Sequence, residues 1–197
     1  MMDDVVLKSV VSDLVNKFGS LLNVGLFSGL ISKVLGERYR EGLDAAELRF
    51  DMNFSENPLK LGFLEKYTFE NIRGMNEEIA DKLRKELSVG LLNNESVSRL
   101  KERVMNVMGV MEDRARMIAR TEANRALNAG HLDGARQSGL DVWKRWDAHL
   151  DKRTSPVCRA LNGRTVPLDE KFKFGGEEFD HPPAHPNCRS TLVFVQK

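Results

Sequence analysis

The spacing of apolar residues changes near Gly139, and this change constrains the fold more than any other feature of the chain. Before this glycine, apolar residues recur at intervals of three and four, which is typical of amphipathic helices. After it, Val142, Lys144 and Trp146 alternate with their neighbours as in a short strand, and residues 190–195 form a second strand-like run. The sequence therefore predicts an α+β fold, with a mostly helical N-terminal region followed by a small C-terminal domain containing a short antiparallel sheet.

Glycines divide the helical part of the sequence. Gly74, Gly90 and Gly109 each follow a periodic run, and glycine commonly ends a helix. We predict separate helices over residues 3–18, 20–40, 44–52, 59–72, 76–89, 96–108 and 112–137. We also predict three regions, namely a helical N-terminal region over residues 1–57, the helical part of the following domain over 58–139, and the small α+β domain over 140–197.

The last predicted helix carries a polar stripe beside a face of small residues. Thr121, Asn124, Asn128 and His131 recur at intervals of three and four and therefore share one face. This stripe is either a solvated surface or a set of groups that hydrogen-bond the following domain, because buried polar groups need partners. The sequence leaves both interpretations open.

Both cysteines and three of the four histidines lie after residue 148. Sulfur and imidazole donors concentrated in this way are typical of a tetrahedral zinc site. We predict Cys158, His185 and Cys188 as three ligands of a candidate Zn²⁺ site, with His181 as the fourth and His149 or Asp151 as further candidates. Alternatively, the cysteines are small buried side chains or pair with each other, while His185 bonds a backbone carbonyl group.

A second interpretation of this region is a metal-dependent hydrolase or nuclease. Asp147 and Asp151 would hold a hard cation, and His185 would act as a base. The plainer alternative is that Asp151 caps backbone amides in a turn and that Thr154 caps the helix carrying Cys158. We favour the capping roles and expect no catalytic residues.

The composition excludes a strong overall electrostatic field and a membrane-spanning segment. The chain has 197 residues, a formal net charge of +1, and no apolar run that reaches the roughly 20 residues of a membrane span. Its acidic N-terminus does not look like a secretory signal. Between residues 144 and 164, however, the sequence contains six basic residues and only two acidic ones. We predict that this segment either is a solvated surface or binds DNA phosphates, through Lys144, Arg145, Lys152 and Arg153.

Several motifs in this order and spacing resemble a known family. The matching segments are residues 115–126 around Arg120, Thr121 and Glu122, residues 144–148, residues 151–158 from Asp151 to Cys158, residues 161–163, and residues 182–192 around His185, Cys188 and Arg189. Together they resemble the phage Mu F-like (MuF) minor head proteins, also described as phage head morphogenesis proteins. The resemblance covers roughly residues 60–195.

The resemblance implies a virion component, present in few copies and associated with the portal, that enters the prohead and aids head assembly or accompanies DNA on ejection. It implies portal, scaffold or capsid proteins as partners, no membrane, a location inside the capsid or at the portal vertex, and the host cytoplasm during assembly. Residues 1–57 match none of its motifs and are the expected docking region. Longer members carry toxins, and since this chain ends at Lys197 we expect no C-terminal effector.

By position, the resemblance marks a structural motif without an assigned catalytic role. Its members are Arg120, Thr121, Glu122, Asp151, Arg153, Thr154 and Arg189, in addition to Cys158, His185 and Cys188.

Overall fold

The computed structural model describes residues 24–93 and 95–196. Three long helices come first, α1 (Val24–Phe50), α2 (Pro58–Leu92) and α3 (Val97–Gln137). They are followed by β1 (Val142–Asp147), a short helix α4 (Pro156–Leu161), β2 (Thr165–Pro167), β3 (Phe172–Phe174), β4 (Glu177–Phe179) and β5 (Thr191–Gln196). This order confirms the predicted α+β fold. None of the described helices is long and apolar enough to cross a membrane.

The predicted helix boundaries are only partly correct. Gly74 and Gly109 lie inside α2 and α3, so the predicted stops at these residues are wrong, and α1 continues through the predicted break at residues 41–43. A glycine in a helix interior costs only about 1 kcal/mol relative to alanine, which favourable neighbours readily offset. The break before Pro58 is correct, because Asn57 accepts hydrogen bonds from the backbone amides of the first turn of α2. The helix predicted over residues 3–18 lies outside the described residues.

The chain forms two compact units. The described residues of the first unit are 24–29, 67–93 and 95–116, and those of the second are 30–66 and 117–196. In the first unit, Arg103 pairs with Glu86 and Glu95, at 2.7 Å each. The buried apolar side chains of this unit include Ile79, Leu83, Leu87 and Val107. The second unit contains every candidate site residue.

In the second unit, α1 and α3 approach each other through glycines. A Cβ atom built at Gly130 would lie 2.0 Å from the carbonyl oxygen of Tyr39, and one at Gly42 would lie 2.1 Å from that of Leu127. Two helix backbones can come this close only where a side chain is absent. The core around this crossing consists of Leu35, Tyr39, Leu43, Ala46, Phe54, Leu64, Ala126 and Ala129.

The sheet is three-stranded and antiparallel, in the order β2-β1-β5. Trp146 of β1 faces Leu192 of β5, and Lys144 faces Phe194. The inward face of β1 packs into a second core, where the fully buried Trp146 ring meets Phe172 edge-on at 5.2 Å between centroids. A separate hairpin of β3 and β4 supplies Phe172. The sheet thus connects the α3 side of the unit to the loops that carry the cysteines.

Candidate metal centre

The two cysteines and one histidine converge on one point. The Sγ atoms of Cys158 and Cys188 lie 3.5 Å apart, and His185 Nε2 lies 3.1 Å from the Cys158 sulfur. All three potential ligand atoms lie within 4.8 Å of one another. Both thiols are buried and free, while the imidazole is half-buried. This is a group that could hold a metal ion.

Local sequence explains how Cys158 is positioned. Ser155 is the N-cap of α4 and accepts a hydrogen bond from the Cys158 amide at 3.3 Å. Pro156 follows at the first helical position, where its fixed φ is already suited to a helix. Our prediction that Thr154 caps this helix is wrong by one residue. The short helix α4 therefore points the Cys158 thiol into the protein.

A turn joins the other two ligands. The Cys188 amide donates to the His185 carbonyl oxygen at 3.2 Å, and Asn187 between them has a positive φ of 58°. Proline at the second position and an asparagine with positive φ at the third are the pattern of a type II turn. The sequence His-Pro-Asn-Cys therefore brings both donors to one side of a tight loop.

The orientation of His185 fixes its tautomer. Its Nδ1 atom lies 2.7 Å from the Pro186 carbonyl oxygen, which can only accept a hydrogen bond. Nδ1 therefore carries a proton, and Nε2 is the ring nitrogen that faces the sulfur of Cys158. A histidine held by a backbone carbonyl group in this way is the usual arrangement of a metal ligand.

The two thiols affect each other's ionisation. The hydrogen bond between them raises the pKa of Cys158 and lowers the pKa of Cys188. The first proton therefore leaves the pair readily, and the second resists removal. A divalent cation would replace that second proton, since metals bind the thiolate form.

The polar stripe of α3 fastens the loop of Cys188 to the helix. Asn124 Nδ2 donates to the carbonyl oxygens of Cys188 and Ser190, at 3.0 and 3.2 Å. The Thr121 hydroxyl accepts from the Asn187 amide at 2.9 Å. The stripe is therefore not a solvated surface but binds the following segment, as our second interpretation proposed.

Asn128 completes this connection from a fully buried position. Its Oδ1 accepts from the Leu192 amide at 2.9 Å, at the start of β5. His131, by contrast, packs edge-on against Phe194 at 4.7 Å between ring centroids, and burial lowers its pKa to about 4. His131 is therefore neutral at pH 7 and acts in packing.

We expect Asn128→Ala to lower the free energy of unfolding of the second unit by about 2 kcal/mol, because the buried Leu192 amide loses its acceptor. Urea unfolding followed by tryptophan fluorescence measures this, since both tryptophans lie in that unit. Asn53→Ala, in an exposed loop, is the control and should change stability by less than about 0.5 kcal/mol. Equal midpoints for the two variants would contradict the assigned role of Asn128.

Asp151 organises the loop before α4. Its carboxylate accepts from the Arg153 amide at 2.8 Å and from the Arg189 guanidinium at 2.6 Å, and the ion pair with Arg189 holds its pKa well below the usual range. The Thr154 hydroxyl accepts from the Asp151 amide and donates to the His149 carbonyl oxygen. Asp151 thus has the turn-capping role that we predicted, and it also connects this loop to the loop of Cys188.

The arrangement does not favour the hydrolase alternative. Among the described residues, Cys158, His185 and Cys188 are the only group of three with converging ligand atoms. Asp147 and Asp151 do not join it, and the Asp151 oxygens are already held by Arg189 and the backbone. The predicted fourth ligand, His181, is also outside the group, with its Nδ1 only 2.6 Å from the carbonyl oxygen of Pro182.

The predicted basic segment is not a single surface. Lys144 is fully buried and pairs with Asp180 at 2.5 Å, with its ammonium group 5.7 Å from the centre of the Phe172 ring. Lys144 is therefore a core residue, and it cannot contact DNA from this buried position. Lys152 and Arg153 are exposed and Arg145 is half-buried.

Comparison with known proteins gives the family. The family model described as Phage Mu protein F like protein matches residues 77–193, more than half of the chain. The chain belongs to this family. The matched part of this MuF protein contains α3, the Asp151 loop and all three donors of the candidate metal centre. No solved structure matches.

Two curated relatives resemble the MuF protein over part of their length. Minor head protein GP7 of Bacillus phage SPP1 is 32% identical over 151 residues, which are 71% of this chain and 47% of GP7. The NAD(+)–arginine ADP-ribosyltransferase EFV of Enterococcus faecalis is 27% identical over 128 residues, 60% of this chain and 26% of that protein. The MuF protein therefore spans about half of the first relative and about a quarter of the second.

Part of the predicted structural motif lies beside the candidate metal centre. Thr121 and Arg189 hold the loop of Cys188, and Asp151 and Thr154 shape the loop before Cys158. Glu122 is buried beside Arg125, with the two groups 2.9 Å apart, and burial raises the pKa of Glu122. Arg120 is exposed on α3, and Arg153 is exposed beside the Asp151 loop.

Sequence reasoning missed Ser155, Ser190 and Asp180. The signal for Ser155 was present, because serine before Pro156 is a common start of a helix. Asp180, the partner of Lys144, carried no such signal.

Proposed function

We propose that this chain is a minor head protein of a phage, that it acts in head morphogenesis, and that it is located in the virion. The observation that carries this proposal is the family match over residues 77–193, which includes every residue around the metal centre. The similarity to GP7, a minor head protein, supports it.

In this proposal the chain is not an enzyme. The thiols of the metal centre are 3% and 4% exposed, and the Asp151 carboxylate is held by Arg189, so neither is free to attack a large substrate. The ADP-ribosyltransferase activity named for EFV is that protein's own, and the similarity covers only 26% of it. The observed contacts are sufficient for a structural role and do not require a catalytic one.

The proposed partners are the portal protein and scaffold or capsid proteins, with residues 1–57 as the docking region, residues 58–139 as the helical part of the MuF domain, and residues 140–197 as its α+β part. The protein would enter the prohead at the portal vertex and accompany DNA on ejection. The proposed contacts to DNA phosphates are Lys152 and Arg153, which are exposed, together with Arg145.

We further propose that the metal centre binds zinc as a clasp between two loops. Two sulfurs that bind one tetrahedral zinc ion at about 2.3 Å lie roughly 3.8 Å apart. The observed separation of 3.5 Å is close to this value and far from the roughly 2.05 Å of a disulfide. Cys158 and Cys188 would supply thiolates, and His185 would supply Nε2. These ligands lie on two loops that are distant in sequence. One bound ion would therefore link the loops through coordination bonds.

The head proposal is tested in a phage that carries this gene, by complementing a null mutant with the full chain or with a chain lacking residues 1–23, because residues 24–57 include α1, whose side chains belong to the core of the second unit. We expect mass spectrometry of purified virions to detect the full chain and to lose the truncated one, and portal protein to copurify only with the full chain. Absence of the full chain from virions would contradict the head function. Equal portal binding by both chains would contradict only a docking role of residues 1–23 within the proposed docking region 1–57.

A further inference from the structure

A small cavity opens beside the metal centre. Its lining includes Cys158 and His185, together with Ser155, Ser190, Arg153 and Arg189. Its volume is about 20 Å³, and a water molecule needs at least about 10–15 Å³. The cavity therefore has room for one small group next to the donors.

No protein donor fills this place. Among the described residues, no fourth histidine, cysteine or carboxylate belongs to the group of converging ligand atoms. His149 also lines the cavity, but its Nε2 faces Asp151 at 3.8 Å. Ser155 and Ser190 also line the cavity. Serine hydroxyls are not usual zinc ligands.

Charge indicates what the cavity accepts. Two thiolates and a neutral imidazole balance a divalent cation. Around the cavity, the guanidinium groups of Arg153 and Arg189 share a single carboxylate, that of Asp151, at 3.8 and 2.6 Å. The surroundings thus retain a positive charge, which favours the binding of a small anion. A water molecule could also bind there through its oxygen.

We propose that the metal centre has three protein ligands and a fourth position open to this cavity, where solvent or a small monovalent anion completes the coordination. This inference rests on the proposed zinc site and adds that the site is open rather than closed. It assigns the cavity between Ser155, Ser190 and Arg153 as an anion-binding site. Structural zinc sites usually have four protein ligands, so the difference is measurable.

The test uses cobalt(II) in the full chain, because cobalt replaces zinc and absorbs visible light. We expect thiolate-to-cobalt charge-transfer absorption on loading, and a shift of the visible bands when azide is added. Absence of charge-transfer absorption would overturn the metal site itself. Charge-transfer absorption with visible bands that saturating azide leaves unchanged would overturn only the open position.

Serine-to-cysteine variants locate the open position, since each exchanges a single oxygen for sulfur. Ser190→Cys would place a fourth thiolate at the cavity, and we expect it to abolish the azide shift. Ser155→Cys is a second variant at the same cavity, with the same expected loss. Ser138→Cys, whose hydroxyl instead bonds the Ala135 carbonyl oxygen, is the matched control and should keep the shift. A shift that persists in both cavity variants would overturn the assignment of this cavity.

Discussion

We expect Gly130→Ala to destabilise the second unit by at least about 3 kcal/mol, the upper part of the range for overpacked sites. The added Cβ would lie 2.0 Å from the carbonyl oxygen of Tyr39 and 2.9 Å from its carbonyl carbon. Both are backbone atoms of α1, so the contact is relieved only by moving one helix away from the other. Such a movement would also disturb Leu43 and Ala46 in the core.

The sign of the change in the free energy of unfolding distinguishes a close contact between helices from an ordinary helix position. In a helix interior, alanine is favoured over glycine by about 1 kcal/mol, so a helix without this contact would become more stable. Gly62→Ala provides that comparison, because Gly62 lies in α2 within the same unit and its added Cβ would meet no atom within 4 Å. Urea unfolding followed by tryptophan fluorescence should therefore move in opposite directions for the two variants. A stabilised Gly130→Ala protein would contradict the close approach of α1 and α3.

The second large effect is expected on removal of the metal. If zinc binds only the folded chain, it stabilises that chain by about 4 kcal/mol at a free zinc concentration a thousandfold above the dissociation constant. A chelator should remove this stabilisation and shift the urea midpoint of the second unit downwards. The effect follows from geometry, since the ion would join the loop of Cys158 to the turn of His185 and Cys188.

Variants separate this effect from general destabilisation. Cys188→Ser should have the same midpoint with and without chelator, because it lacks a ligand. His149→Gln alters an exposed imidazole outside the converging group and should remain as sensitive to chelator as the unaltered chain. Identical midpoints for the unaltered chain with and without chelator would contradict a stabilising role of the metal.

The parts of this protein that could be predicted from sequence are those with a local cause. Alternation after Gly139 predicted β1 and β5, and Pro58 marked a real helix start. The turn-capping role of Asp151 followed from a short polar segment in which the carboxylate reaches the amide two residues on. In each case, the groups that interact are close together in the chain.

The parts that could not be predicted depend on contacts between distant residues. Gly74 and Gly109 gave a local stop signal, but their helices continue because their neighbours favour helix. Lys144 looked like a surface cation, yet alternation places it on the inward face of β1, where Asp180 neutralises it. Nothing near Lys144 in the sequence indicates that partner.

The candidate metal centre was predictable only in part. Residue types alone suggested Cys158, His185 and Cys188, and the structure brings these three donors together. The fourth ligand was not predictable, because the choice among His181, His149 and Asp151 depended on which loops meet. Asp151 pairs with Arg189 instead, and His181 bonds the backbone.

The zinc clasp is tested most directly by elemental analysis of the full chain, expressed and purified without added metal or chelator. We expect near-stoichiometric zinc, lost in Cys188→Ser and retained in His149→Gln. A correctly folded, unaltered chain that contains no metal, or whose zinc content is the same in Cys188→Ser, would contradict the clasp.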